Sequence, residues 1–317
     1  MKTLIVSPQA GMCNRFRAVC SAILLGELSG RKVYHNWTRE PAHPDDIQII
    51  QNMRAASLDD FFEPTDAIPY IAVDTHSRID AVFSEKGEDN EWFPRQSSAI
   101  KRLGITEGIR VEQTNADSII ESTEETILLE TSLALKPSAM STEVFEKRLQ
   151  EIYSTFFRPL QKYREISDNF YTGGGYVGVH IRRTDHLKYV DAADIEPRTW
   201  RTVFRKKISR DEPVFLCSDD AYFKAKISNS VPHTCLHYDN RHQINDTSLA
   251  FVEFLILSGA TRIYGTAESS YAIQAALFGC KPIEMIQRVK GNPYSPLRPF
   301  RRLSKVIRRW REPGNDY

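Results

Sequence analysis

The sequence predicts an α/β protein with parallel, doubly wound sheets in two Rossmann-like domains. In the second half, short apolar runs of strand length alternate with stretches of helical periodicity, the pattern of a parallel sheet with crossover helices. The first 35 residues repeat that order as strand, loop, helix and strand. At 317 residues, the chain is long for a single hydrophobic core. Two domains facing each other across a cleft are the expected arrangement.

Bulk composition narrows the function. Hydrophobic content of 41% and charged content of 26% are ordinary for a globular protein, and a net charge of +1 argues against a nucleic-acid coat. No run of 18 apolar residues exists to span a membrane. The stretch Met1 to Pro8 is too short for a signal peptide and reads as a first strand. The five cysteines (Cys13, Cys20, Cys217, Cys235, Cys280) are odd in number and form no CxxC pair. They fit a reduced, cytoplasmic protein that uses thiols for packing.

Thr3 to Ser7 reads as a buried strand, followed by the loop Pro8 to Asn14. A helix then runs from about Asn14 to Ser29, with Phe16, Val19, Cys20, Ile23, Leu24 and Leu28 on its apolar face and Gly30 as its C-terminal cap. Asn14 is placed as its N-cap, and Arg15 and Arg17 as solvated charges. The free backbone N–H groups and positive helix end make this loop an anion site. It lacks GxGxxG, so a nicotinamide or flavin dinucleotide is not indicated. Lys32 to His35 forms the second strand. From Asn36 to Pro137, five prolines punctuate the chain: Pro41, Pro44, Pro64, Pro69 and Pro94. Within it, Leu58 to Phe62 reads as a short helix, and Tyr70 to Val73 and Thr126 to Thr131 as strands. Ser84 to Asn90 reads as an exposed loop.

Glu143 to Tyr153 and Pro159 to Phe170 read as helices, the second opened by proline. The boundary falls at Thr172 to Gly175. It gives domains 1–172 and 173–290 and a basic tail, 291–317. The second domain then alternates regularly: strand 176–181, a helix opened by Pro197, strand 214–217, a helix from Asp220 and a short strand near 234–236. A helix over 246–258, strand 262–265, helix 269–278 and strand 282–285 follow.

In open α/β sheets, ligands bind outside the carboxyl ends of the strands. The strand from Tyr176 ends in Arg182 and Arg183, two planar donor forks that hold charge at any pH and suit an anion. The alternative is a pair of surface charges matched to Asp185 and Glu196. Ser218-Asp219-Asp220 and Thr266-Ala267-Glu268-Ser269-Ser270 end neighbouring strands and converge on the same edge. Ser269 and the helix start it opens could hold a phosphate. Asp219 and Asp220 read either as ligand-contacting carboxylates, as a metal-binding pair, or as caps of the following helix.

These residues carry a family resemblance. Gly178-Val179-His180-Ile181-Arg182-Arg183-Thr184-Asp185 resembles the first signature motif of the GDP-fucose-dependent fucosyltransferase superfamily. That group includes the core alpha-1,6-fucosyltransferases, the Nod-factor fucosyltransferases and the protein O-fucosyltransferases. Phe215 to Asp220 resembles the second motif, and Glu253 to Ala260 with Thr266 to Tyr271 the third. Gly11-Met12-Cys13-Asn14-Arg15 resembles the superfamily's N-terminal loop. The match covers the first 35 residues and about 176–285.

The resemblance implies a GT-B fold, GDP-fucose as donor, inversion at the sugar and no metal or other cofactor. It implies donor contacts from Gly11, Cys13, Asn14, His180, Arg182, Arg183, Asp219, Asp220, Glu253, Thr266, Ser269 and Ser270. Arg182 would hold the β-phosphate, Arg183 would orient its loop, and His180 would lie against guanine or ribose. Glu253 stands where the superfamily has an aspartate reading the guanine edge, and Glu268 is one residue extra. The superfamily's proposed catalytic glutamate aligns with Val190. The base therefore does not carry over: Asp185, Asp191 and Asp194 are nearby carboxylates, Glu40 and Asp45 of the first domain are equally open, and Asp185 is taken as the candidate. The resemblance implies a glycan or glycolipid as acceptor.

The tail offers Phe300, Leu303, Val306, Ile307 and Trp310 on one helical face and six basic residues elsewhere. It reads either as a membrane-surface helix over 299–312 or as a helix docked on the first domain. The sequence thus points to a cytoplasmic fucosyltransferase. Its rivals are a transferase using another nucleotide sugar and a catalytically silent sugar-nucleotide or glycan binder.

Overall fold

The computed structural model describes residues 1–37, 56–73, 78–84, 110–183, 196–239, 242 and 244–286. The chain divides into two compact units, Met1–Leu160 and Gln161 onward. The division therefore precedes the expected boundary at residue 172, because the helix starting at Gln161 packs within the second unit, against the helix Asp246–Gly259.

The first unit contains β1 (Thr3–Pro8), α1 (Met12–Ser29), β2 (Lys32–His35), a 3-10 turn (Leu58–Asp60), β3 (Ala81–Ser84), β4 (Arg110–Gln113), α2 (Ala116–Glu121), β5 (Thr126–Thr131) and α3 (Thr142–Phe156). Its five strands lie in the order β2-β1-β5-β3-β4, and every pair is parallel. β1 is buried from Leu4 to Ser7, as a central strand covered on both faces should be. Helix α1 ends on Gly30, whose φ of 64° is the left-handed cap that favours glycine. Tyr70 to Val73 is not a strand: Tyr70 makes one isolated bridge to His35. The helix expected from Pro159 begins at Gln161, and Pro159 bridges Phe62 instead.

The second unit contains α4 (Gln161–Asp168), β6 (Val177–Ile181), α5 (Pro197–Lys207), β7 (Val214–Ser218), α6 (Ala221–Ser228), β8 (Cys235–Leu236), α7 (Asp246–Gly259), β9 (Arg262–Gly265), α8 (Ser270–Phe278) and β10 (Ile283–Met285). Its sheet is parallel throughout, in the order β10-β9-β6-β7-β8. β6 is central and buried at all five positions. Gly178 sits where α7 crosses it: a Cβ there would lie 2.7 Å from Leu257 and 3.0 Å from Ala260. The missing side chain is what lets helix and strand approach. On the other face Val177, Val179 and Ile181 pack with Trp200, Phe204, Leu216 and Tyr264.

All five cysteines are free thiols, and Cys13, Cys20 and Cys217 are buried packing residues as expected. Cys280 is not: it is exposed in the turn after α8 with a φ of 51°.

Candidate functional site

The carboxyl edge of the second sheet carries the site. β6 delivers His180, Arg182 and Arg183; β7 delivers Asp219 and Asp220; β9 delivers Thr266 and leads into α8. The backbone ties these ends together. The N–H of Thr266 donates to the His180 carbonyl at 3.1 Å, and the Arg182 N–H donates to Thr266 Oγ1 at 3.0 Å. On the other side, the Arg183 N–H donates to Asp219 Oδ1 at 2.8 Å, and Ser218 Oγ donates to the Ile181 carbonyl at 2.6 Å. The arginine loop is thus clamped from both neighbouring strands.

The two arginines have separate surroundings. Arg183 Nε pairs with Asp220 Oδ2 at 3.0 Å, and its guanidinium lies 4.0 Å from the centroid of the Phe223 ring. An ion pair and a cation–π contact on one side chain fix the loop's direction. Among the described residues, Asp220 is an ion-pair partner of Arg183. Asp220 also caps α6, accepting from the Phe223 N–H at 2.8 Å. Both carboxylates of this pair therefore serve the protein's own hydrogen bonds. No group of three or more potential metal ligands gathers among the described residues.

His180 is 6% exposed. Its Nδ1 lies 3.0 Å from Ser269 Oγ, and its ring stacks on Tyr271 with centroids 4.6 Å apart. Ser269, fully buried, caps α8 by accepting from the Ala272 N–H at 3.3 Å. Its hydroxyl is thereby committed to His180 and to the cap, and Ser270 is buried beside it. The extra residue Glu268 is accommodated by a left-handed turn with φ of 60°. Such backbone persists only where the surroundings impose it, and it concentrates at binding loops.

Glu253, in the middle of α7, pairs with Lys224 of α6 at 3.1 Å. Burial raises its carboxyl above the usual carboxylate range, and Lys224 opposes that rise. Lys224 is a feature that sequence reasoning did not single out.

In the first unit, Gly11 and not Asn14 is the N-cap of α1. The helix starts earlier than expected because Met12 and Cys13 are buried in its first turn. Cys13 is buried and Asn14 is half-buried. Arg15 and Arg17 are not solvated: they are 1% and 5% exposed. Arg15 Nε donates to the Ala10 carbonyl at 2.8 Å, and its guanidinium lies 5.6 Å from the Trp37 ring. Arg17 Nε donates to the Ser132 carbonyl at 2.5 Å. Ala10 itself is left-handed, with a φ of 65°. The loop after β1 is held by buried guanidiniums rather than by a side-chain cap. Asp185, Val190, Asp191, Asp194, Glu40, Asp45 and the tail 299–312 lie outside the described residues.

Against known proteins, no family profile matches the sequence, and no curated protein matches it. Solved structures do. The fucosyltransferase NodZ from Bradyrhizobium is similar with a TM-score of 0.58 at 17% identity, over 92% of this chain and 97% of its own. POFUT1 in complex with GDP-fucose is similar at 0.55 and 10% identity, over 87% and 94%. A variant of Arabidopsis thaliana FUT1 in complex with GDP is similar at 0.54 and 11% identity, over 92% and 72%. The chain has the fold of the GDP-fucose fucosyltransferases. Among the described residues, no helix is long and apolar enough to cross a membrane.

Sequence reasoning missed two other contributors: Phe223 against Arg183 and Tyr271 against His180. They lie just beyond the second motif and at the end of the third, at positions where an aromatic side chain beside a charged or imidazole group is the legible signal.

Proposed function

We propose that this protein transfers fucose from GDP-fucose to a hydroxyl of a glycan or glycolipid. The observation that carries the reading is the clamped arginine loop at the carboxyl edge of β6, on a fold shared with fucosyltransferases whose structures hold GDP or GDP-fucose. In this reading Arg182 faces the donor's diphosphate and stabilises the charge that develops as GDP leaves. Arg183, held by Asp220 and Phe223, keeps the loop in place. Thr266 and Asp219 fix the backbone on either side. Ser269 orients His180, so the imidazole presents a set face toward the nucleoside. Gly11, Cys13 and Asn14 are assigned to the donor's phosphate side by the resemblance of their loop.

The chemistry needs little else. A preorganised cation at the leaving group replaces the stabilisation that a divalent ion would give; removing one such donor typically costs ~10²–10³ in rate. Asp219 and Asp220 are engaged by the arginine loop, which supports a metal-independent reaction. Direct attack by the acceptor hydroxyl inverts the sugar, and Asp185 is the nearest carboxylate in sequence for taking its proton.

A second reading is favoured by Glu253. Its pairing with Lys224 engages the carboxylate expected to read guanine, which supports a transferase for a different nucleotide sugar. Calorimetric titration of GDP, UDP and GDP-fucose, followed by assay for released nucleotide, separates the two. Tight GDP binding with GDP release from GDP-fucose is the expected result. Preference for UDP would select the second reading, and binding without turnover a silent binder.

A further inference from the structure

A cavity of about 330 Å³ opens in the first unit at the carboxyl end of β2. That is the lower end of the range for small-ligand sites. His35 lines it together with Asp59, Glu63, Asp66, Tyr70 and Phe157. Three features make it a built site rather than a surface dimple.

The first is the backbone around His35. Its N–H donates to the Pro69 carbonyl at 3.1 Å, and its carbonyl accepts from the Ile71 N–H at 2.9 Å. The following residue, Asn36, donates to the Val6 carbonyl at 2.7 Å. Trp37, 1% exposed, donates from its indole to the Ala56 carbonyl at 2.9 Å. The chain on both sides of the imidazole is pinned.

The second is the imidazole itself. His35 is 2% exposed. Its Nδ1 accepts from the Trp37 N–H at 3.3 Å, so the ring hydrogen resides on Nε2. Burial lowers its pKa to about 4, against the pull of Asp59, and the ring is neutral at pH 7. Among the described residues Nε2 has no hydrogen-bond partner. A buried, fixed, neutral N–H donor thus faces the cavity.

The third is the rest of the wall. Tyr70 is 49% exposed and lies edge-on to His35, with ring centroids 5.6 Å apart. Asp59, Glu63 and Asp66 add carboxylate acceptors, and Glu63 Oε2 pairs with Arg158 Nε at 3.5 Å.

These groups select a ligand class. An anion is repelled by Asp59 and Asp66, while the charge of Glu63 is offset by Arg158. A simple cation gives donors to the carboxylates but leaves the His35 N–H with nothing to bond. A body that both donates and accepts, with an apolar face for the Tyr70 ring, satisfies every wall. That is a polyhydroxylated ring. We propose that this cavity binds one sugar ring of the acceptor, with His35 Nε2–H donating to a ring hydroxyl and the carboxylates accepting from others. The acceptor assignment rests on the transferase reading above; the binding of a sugar ring does not.

The test uses the full chain and a panel of methyl glycosides: glucoside, galactoside, mannoside and N-acetylglucosaminide. Binding is followed by saturation-transfer NMR and by the His35 ring-nitrogen resonances. GDP affinity is measured on the same samples. At least one glycoside should bind and shift Nε2. Tyr70→Ala and Asp66→Asn, both at the cavity wall, should each weaken it about tenfold, the loss of one stacking or hydrogen-bonding partner. GDP binding should be unchanged in both variants, which also shows that they are folded. No glycoside binding at millimolar concentration, or binding unaffected by both substitutions, overturns the proposal. So does displacement of a bound glycoside by methylammonium, which would make the cavity an amine site. Glycoside binding without GDP binding would sink the transferase reading and leave the sugar site standing. GDP binding without glycoside binding would do the reverse.

Discussion

Replacing Thr266 with valine removes one oxygen and keeps the branched shape of the side chain. Thr266 is fully buried, and its Oγ1 accepts from the Arg182 N–H at 3.0 Å. The valine keeps the other bond, from its own N–H to the His180 carbonyl. The perturbation is therefore one unmatched backbone donor at the root of the arginine loop. Leaving a buried donor unsatisfied costs about 1–3 kcal/mol. Arg182 is half-buried, so its N–H can regain water if the loop shifts, which places the cost near the lower part, about 1–2 kcal/mol. That cost appears in two places. Urea denaturation should show a stability loss of up to about 2 kcal/mol. Where the loop moves to hydrate the N–H, the Arg182 guanidinium moves with it, and GDP binding weakens by about 5- to 30-fold for the same free energy. Calorimetry with GDP and denaturation of the same variant measure both. Stability and GDP affinity each unchanged would show that Thr266 does not hold the loop.

Other consequences follow from single groups. Gly178→Ala places a Cβ 2.7 Å from Leu257, and overpacking at the α7–β6 contact should destabilise the second unit by about 1–3 kcal/mol in urea denaturation. In α3, burial and then the neighbouring Glu143 raise the Glu146 carboxyl to about 7. A folded value above the unfolded one gives stability that is full below about 4.5 and is lost as pH rises through 7. Between pH 4.5 and 8, Glu146→Gln should therefore gain about 1–3 kcal/mol relative to wild type, and an equal difference at both pH values would refute the assignment. Sugar transfer should continue in the presence of a chelator; a strict divalent requirement would make Asp219 and Asp220 metal ligands instead.

The second unit was legible because its strands are buried on both faces. Val177 to Ile181 and Val214 to Cys217 read as short apolar runs, and the polar residues that end them had to fall on one sheet edge. The first unit was less so. β3 and β4 span four residues each, Ala81–Ser84 and Arg110–Gln113, and the second is mostly polar in sequence. Such strands are set by their neighbours in the sheet, not by local pattern. Arg15 and Arg17 read as surface charges because nothing in a helical wheel shows a carbonyl at Ala10 or Ser132 waiting for a guanidinium. The left-handed Ala10 carries no glycine to mark it. His35 could be read as the end of a strand, but its lowered pKa comes from burial, and the Pro69 carbonyl and Tyr70 ring beside it are brought there by the fold.

Fucose transfer by the arginine loop of β6 is read in the rate of GDP release from GDP-fucose, with a mixed glycan pool as acceptor, for the wild-type protein and Arg182→Ala. Acceptor-dependent release by the wild type is expected, with a loss of at least ~10² in the variant and unchanged urea denaturation. No release by the wild type, or near-normal release by Arg182→Ala, would contradict it.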